Sequence, residues 1–258
     1  LSRHQGMTLT QVSALGLGIM VLLLLGFVRS DLLARWQQTL PSDAPNRFVI
    51  NVQSNQLQDV EKFIAREQLK KAALFPMVRA RLIAVNDKPV ADIDYEKMGE
   101  RAKRMAEREF NLSSSETFGS DNSLVSGQYW SATQQNALEM SVEQDFAETL
   151  NWKLGDVVRF DIAGTLLEAK ITSLRKIQWE SFKPNFFVVI SPGGLTGLSA
   201  SYISAMHVPK NKQAAMDNLV RQYPNLSVVD IDAVLKQVRS TIDQVSRVVE
   251  AVFYFSLF

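Results

Sequence analysis

"LNWKLGDVVRFDIAGTLLEAKITSLRKIQWESF", residues 150–182, carries two short breaks, Gly155-Asp156 and Ala163-Gly164, between runs of Val, Phe, Ile and Leu. Runs of this length with turn chemistry between them predict consecutive β-strands, and no helical period competes with that reading. The stretch therefore sets a small β-rich sandwich or barrel at the middle of the chain.

Helical and strand patterns alternate on either side of it. In "RFVINV", 47–52, Phe48, Val49, Ile50 and Val52 read as a buried strand. "NQLQDVEKFIAREQ", 55–68, places Leu57, Val60, Phe63 and Ile64 at helical spacing. In "FPMVRARLIAVNDKPV", 75–90, Val78, Ala80, Leu82 and Ala84 alternate with Arg79, Arg81 and Ile83, and Asn86-Asp87 makes a turn. A charged helix is expected over 95–109, loop from 110 to 136 with one short strand at "SLVSGQYW", 123–130, and a helix at "SVEQDFAETL", 141–150. Strand, helix and strand return at "SASYISAMHV", "KNKQAAMDNLVRQYP" and "LSVVDI", between 199 and 231. The predicted class is α+β, with two α/β units flanking a small β-rich insert.

The two ends read differently. From Met7 to Val28 there is no charged side chain, and about 22 residues make about 33 Å of helix, enough for a hydrocarbon core of about 30 Å. A secretory signal peptide is the competing reading, but no small-x-small cleavage pattern follows Val28. Ala14 and Gly18 form a weak small-xxx-small pair. Beyond Val28 no Gly or Pro stops the helix before Pro41, so it is expected to continue out of the bilayer, with Leu32, Leu33, Trp36 and Leu40 on its apolar side. At the other end Ile231, Leu235, Val238, Ile242, Val245 and Val249 step by four and three, a heptad seam that Asp230 or Asp232 can cap. "VSRVVEAVFYFSLF", 245–258, is expected to begin a second span cut short. Two such extensions would pack as a stalk; the plainer alternative is that each lies on the membrane surface. The resulting division is a transmembrane and stalk helix over 1–40, α/β segments over 41–109 and 191–230, a β-rich segment over 110–190 and a stalk helix over 231–258.

Catalytic chemistry finds little support. The two His, His4 and His207, lie far apart in sequence, and there is no Cys for a thiol nucleophile or a disulfide. Neither a G-x-S-x-G elbow nor a phosphate-binding G-x-x-x-x-G-K-[ST] loop occurs, and "SPGGLTG", 191–197, reads as loop. Glu139, Glu143, Asp145 and Glu148 are expected on one solvated helix. No catalytic residue, cofactor or metal ligand is assigned. A net charge of +1 gives no field for nucleic acid, which is not expected as a partner. Trp130, Trp152, Trp179, Phe182, Phe186 and Phe187, with Tyr129, admit two readings, an apolar pocket for a lipid-like molecule or the ordinary core joining the β insert to the α/β units. A domain of this size needs its aromatics inside, which favours the core.

"TLPSDAPNRFVINV", "SGQYW", "LNWKLGDVVRFDIAG" and "RKIQWESFKPNFFVV", in this order between two apolar ends, resemble the extracytoplasmic domain of FtsX-like, MacB-type ABC transporter permeases, and most nearly the YbbP-type branch. The resemblance implies porter-like α/β subdomains with a β-rich one, in the periplasm, on a multi-pass protein of the bacterial inner membrane. It implies no catalysis in this chain, a separate ABC ATPase as partner, contact with membrane lipid and a periplasmic hydrolase or thioesterase as a further partner. ATP-driven motion would then travel along the long helices to export or extract a hydrophobic molecule. The rival expectation is the ligand-sensing domain of a membrane receptor, which also sits between two spans.

Overall fold

The computed structural model describes residues 16, 20, 44–69, 73–130 and 138–256. Of the expected membrane span, Gly16 and Met20 are described, and both are helical. Leu32, Leu33, Trp36 and Leu40 lie outside the described residues. Among the described residues no helix is long and apolar enough to cross a membrane. The chain divides into two compact units, residues 44–229 and the two ends, 1–43 with 230–258.

The first unit begins with β1 (Arg47–Gln53), α1 (Leu57–Arg66) and β2 (Phe75–Val85), as the hydrophobic spacing predicts. Val60, Phe63 and Ile64 form the buried face of α1, while Val78, Ala80, Leu82 and Ala84 point inward from β2. Asn86 and Asp87 turn the chain at φ 50° and 61°, a left-handed pair that Asn and Asp tolerate, into β3 (Lys88–Pro89). The expected helix over 95–109 is shorter: α2 covers Glu100–Glu107, because Gly99 at φ 110° breaks the chain and Tyr95 is tucked inside.

Two expectations fail in the next stretch. The expected loop with a single strand over 110–136 fails within 110–130, because β4 (Glu109–Ser114) pairs antiparallel with β2, Val78 opposite Leu112, before β5 (Asn122–Gly127). Residues 131–136 lie outside the described residues. Nor does a helix span 141–150. β6 (Glu139–Glu143) precedes a short α3 (Gln144–Thr149), so Glu139 and Glu143 belong to a strand. Glu143 is 4% exposed, and its carboxylate accepts from the N–H groups of Asp145 and Phe146 at 3.2 and 2.7 Å, capping α3. Its charge serves a buried helix start; it is not a solvated surface group.

β7 (Val157–Ile162) and β8 (Thr165–Ile177) form the expected hairpin, with Ala163 and Gly164 at φ 50° and 89°. β9 (Val188–Ile190), β10 (Ser201–Met206), α4 (Gln213–Gln222) and β11 (Ser227–Asp230) complete the sheet. Pairing closes a ring. β2 pairs β4, β4 pairs β9 in parallel, β9 pairs β6, β6 pairs β8 in parallel, β8 pairs β7, and β7 returns to Arg81–Val85 of β2. The β-rich part is thus a six-stranded barrel that borrows β2 from the preceding α/β segment. Phe110, Leu112, Met140, Val142, Phe160, Ile171 and Ile190 fill it.

The α/β segments do not make two separate units. Their strands interleave in the order β11-β1-β10-β2, with β10 antiparallel to both β1 and β2. This is the β-α-β…β-α-β order of a ferredoxin-like layer, split by the barrel. One core serves both halves: Val49, Val52, Phe63 and Ile64 from the first pack with Met206, Met216 and Leu219 from the second. Neither half could bury its helix alone, which is why the distant segments join.

The second unit is described through α5 (Ile231–Ser256), an unbroken 26-residue helix and so about 39 Å long. The Asp230 carboxylate accepts from the Ala233 N–H at 2.9 Å, the cap that the sequence offers.

Candidate functional site

β8 sets the chemistry of one face of the barrel. Its buried positions run Leu167, Ala169, Ile171, Ser173, Arg175 and Ile177. A register shift at Met140/Ser141 of β6 sets Arg175 opposite Glu143, on the side of Ser141 and not that of Met140 and Val142. A guanidinium is thus buried outside the apolar filling of the barrel. Arg175 is 3% exposed and spends its fork on fixed acceptors. Nη1 donates to Ser141 O at 2.7 Å, Nε to Asn122 Oδ1 at 3.1 Å, and Nη2 to Phe186 O. Burial pulls its pKa down to about 10, against the opposing pull of Tyr129, Glu143 and Asp121. It remains charged at neutral pH and ties β5, β6 and the segment after β8 to one point.

Asp121 does the same from the other side. It is 7% exposed and accepts from Ser181 Oγ at 2.9 Å and Asn185 Nδ2 at 2.6 Å, while its backbone O accepts from the Gln178 N–H. These bonds fold the "WESFKPNFF" segment against the start of β5. Phe182 within it takes a left-handed φ of 51°.

Outward from this polar knot runs an aromatic ladder. Trp152 stacks on Phe110 at 6.2 Å and meets Phe146 edge-on at 5.8 Å, and Phe146 stacks on Phe187 at 4.9 Å. Phe187 in turn lies 5.2 Å from Trp179, which is 47% exposed, and the Arg108 guanidinium sits 5.4 Å over its ring. The ladder runs from core to surface and ends in an indole that can meet an apolar partner.

The predicted aromatics therefore separate. Trp152 and Phe186 are core, Phe187 is half-buried between core and surface, Trp179 is exposed and Phe182 is half-buried. Trp130 is buried elsewhere, donating from Nε1 to Ser115 O at 3.0 Å beside Tyr129, whose ring lies 3.9 Å away. Burial raises the Tyr129 phenol to about 12. Sequence reading missed Arg175, Asp121 and Arg108 as organising residues. The Arg175 signal was present, since it shares the parity of Ile171 and Ile177.

On α5, Ile231 and Leu235 are half-buried and Val238, Ile242 and Val245 are 49%, 42% and 57% exposed. Val234 and Val248 add 50% and 58% exposed apolar surface on the same helix. The side chain of Val249 lies outside the described residues. Among the described residues no cluster of three His, Cys, Asp or Glu side chains is placed to hold a metal ion.

Comparison with known proteins finds the chain similar to a segment of an ABC transporter permease. It is 39% identical over 238 residues, 92% of its length, to the "Uncharacterized ABC transporter permease YbbP" of Escherichia coli (strain K12), and the resemblance to the YbbP-type branch is borne out. The chain spans 28% of that relative's length. No family model matches the chain. Two solved structures are loosely similar. The periplasmic region of MacB from Actinobacillus actinomycetemcomitans is 9% identical with a TM-score of 0.42, over 80% of this chain and 98% of that one. A permease domain from Porphyromonas gingivalis is 12% identical with a TM-score of 0.34, over 70% and 85%.

Proposed function

We propose that the chain is a non-catalytic segment of an ABC transporter permease, with residues 44–229 forming a periplasmic head and α5 a stalk beneath it. The full protein sits in the bacterial inner membrane and works with a separate ABC ATPase. ATP-driven movement in the membrane passes along the stalk to the head, which assists export or extraction of a hydrophobic molecule, in contact with membrane lipid and with a periplasmic hydrolase or thioesterase. The reading is supported above all by sequence identity to an ABC transporter permease along 92% of the chain. It fits α5, which follows β11 with no residue between them and runs without a break.

The expected stalk seam pairs Ile231, Leu235, Val238, Ile242, Val245 and Val249 with Leu32, Leu33, Trp36 and Leu40. Apolar side chains left exposed on one helix at steps of four and three are what such a seam requires. Affinity purification of the full-length permease from native membranes tests the assignment. It should carry an ABC ATPase and lipid-like cargo. Purification with a signalling kinase and no ATPase would instead assign the head to a receptor.

A further inference from the structure

Beside the barrel, β5 is paired on a single side among the described residues. β5 bonds to β8 from Asn122 opposite Ile177 to Gly127 opposite Ser173, and among the described residues no strand pairs its other edge. Proteins normally blunt such an edge with Lys, Pro or inward charge. "NSLVSG" has none of these; a register shift between Leu124 and Ser126 is its one blunting feature besides a length of 6 residues.

Instead, the edge is apolar and held ready. Leu124 and Val125 are 48% and 46% exposed. Trp179 is 47% exposed at the end where Gln178 bonds to Asp121, and Leu154 is 42% exposed beside Gly127 at the other. Asp121 and Asn122 are fixed by Ser181, Asn185 and Arg175, so little chain entropy is left to lose on pairing. The exposed charges placed against the strand are both cationic. Lys176 lies opposite Ser123, and Lys183 donates to Ser120 Oγ at 2.9 Å. Glu180 is the one carboxylate of the turn bearing Trp179.

We propose that β5 is a docking edge for an extended segment of a partner protein, one that adds a strand to the sheet, sets apolar side chains against Leu124, Val125, Trp179 and Leu154, and carries a carboxylate for Lys176 and Lys183. Backbone pairing supplies affinity in this mode, and alternate side chains supply the choice of partner. The inference stands on the edge itself and is independent of whether the chain serves transport.

The test uses the full chain in detergent micelles and three fluorescent ten-residue peptides. The first alternates Val and Thr and ends in Glu-Glu, the second ends in Lys-Lys, and the third is the acidic peptide with alternate amides N-methylated. The acidic peptide should bind at least tenfold tighter than the lysine peptide and slow amide exchange across residues 122–127, and methylation should abolish binding. Leu124→Asp, or Val125→Asp should the first fail to fold, should weaken binding at least tenfold with the thermal midpoint kept. Lys176→Glu with Lys183→Glu should reverse the preference toward the lysine peptide. Equal binding of all three peptides, or none, overturns the proposal. So does a concentration-dependent dimer that Leu124→Asp removes, since the edge would then belong to a second copy of this chain.

Discussion

Arg175 Nη1 donates to the backbone carbonyl of Ser141 across 2.7 Å, and both residues are closed to solvent. Lysine carries the same charge but lacks the planar fork, so it cannot reach Asn122, Ser141 and Phe186 together. Arg175→Lys leaves buried acceptors unpaired and a poorly matched charge, a combination that costs about 3–5 kcal/mol. The urea midpoint of the chain should fall accordingly.

Gly127 sits at φ 79°, and a Cβ there would lie 2.2 Å from the Thr172 carbonyl oxygen. That neighbour is strand backbone and cannot swing aside. Gly127→Ala should therefore cost more than the usual strain of about 1–3 kcal/mol for a left-handed non-Gly residue. Gly155, with nothing within 4 Å of its Cβ position at φ 91°, should show only the backbone strain when changed to Ala. Paired thermal melts of the two variants check the difference.

The Tyr129 phenol is raised from 10.0 to about 12, chiefly by burial. A group with a raised folded pKa contributes stability that is whole below its unfolded value and is lost as pH climbs through the folded one. Tyr129 should thus favour the fold up to pH 10 and release that contribution between 10 and about 12. Arg175, lowered by burial to about 10, acts in the opposite sense over an overlapping window. Tyr129→Phe should remove one absorbance step near pH 12 from the phenolate titration and leave stability rising with pH where wild type stays flatter.

Ile242 is 42% exposed on α5, so its replacement should matter only where a partner helix covers it. Ile242→Asp should leave the melting of the head, residues 44–229, within about 0.5 kcal/mol of wild type. In the full permease the same change should uncouple ATP hydrolysis from cargo release, because an unpaired carboxylate in a packed seam costs several kcal/mol, roughly. Full coupling in that variant counts against the stalk.

Where residues carry their own conformational signal, the fold was legible. β2 shows it through Val78, Ala80, Leu82 and Ala84, and the β7–β8 hairpin through Ala163-Gly164. β4 was hidden because the Phe110/Leu112 alternation runs into Ser-rich sequence that reads as loop. β6 was hidden because Glu139 and Glu143 imitate an exposed helix face, and only the capping of α3 explains a buried carboxylate there. Barrel closure through β2–β7 and the parallel β4–β9 pair joins residues far apart in the chain, which leaves no local pattern to read. The aromatic block was visible as a block, yet its division between Trp152 in the core and Trp179 at the surface depends on tertiary neighbours.

The central claim is the proposal that ATP-driven movement passes along α5 to the head without a hinge between them. The chain has no Cys, so spin labels can be placed at Asp217→Cys on α4 and Ser240→Cys on α5, both exposed, in an otherwise Cys-free permease with its ATPase. Pulsed electron paramagnetic resonance should give one narrow distance distribution that keeps its centre and width when ATP is added. A broad or two-peaked distribution, or a centre that shifts with ATP, would place a hinge between strand and helix and contradict the account.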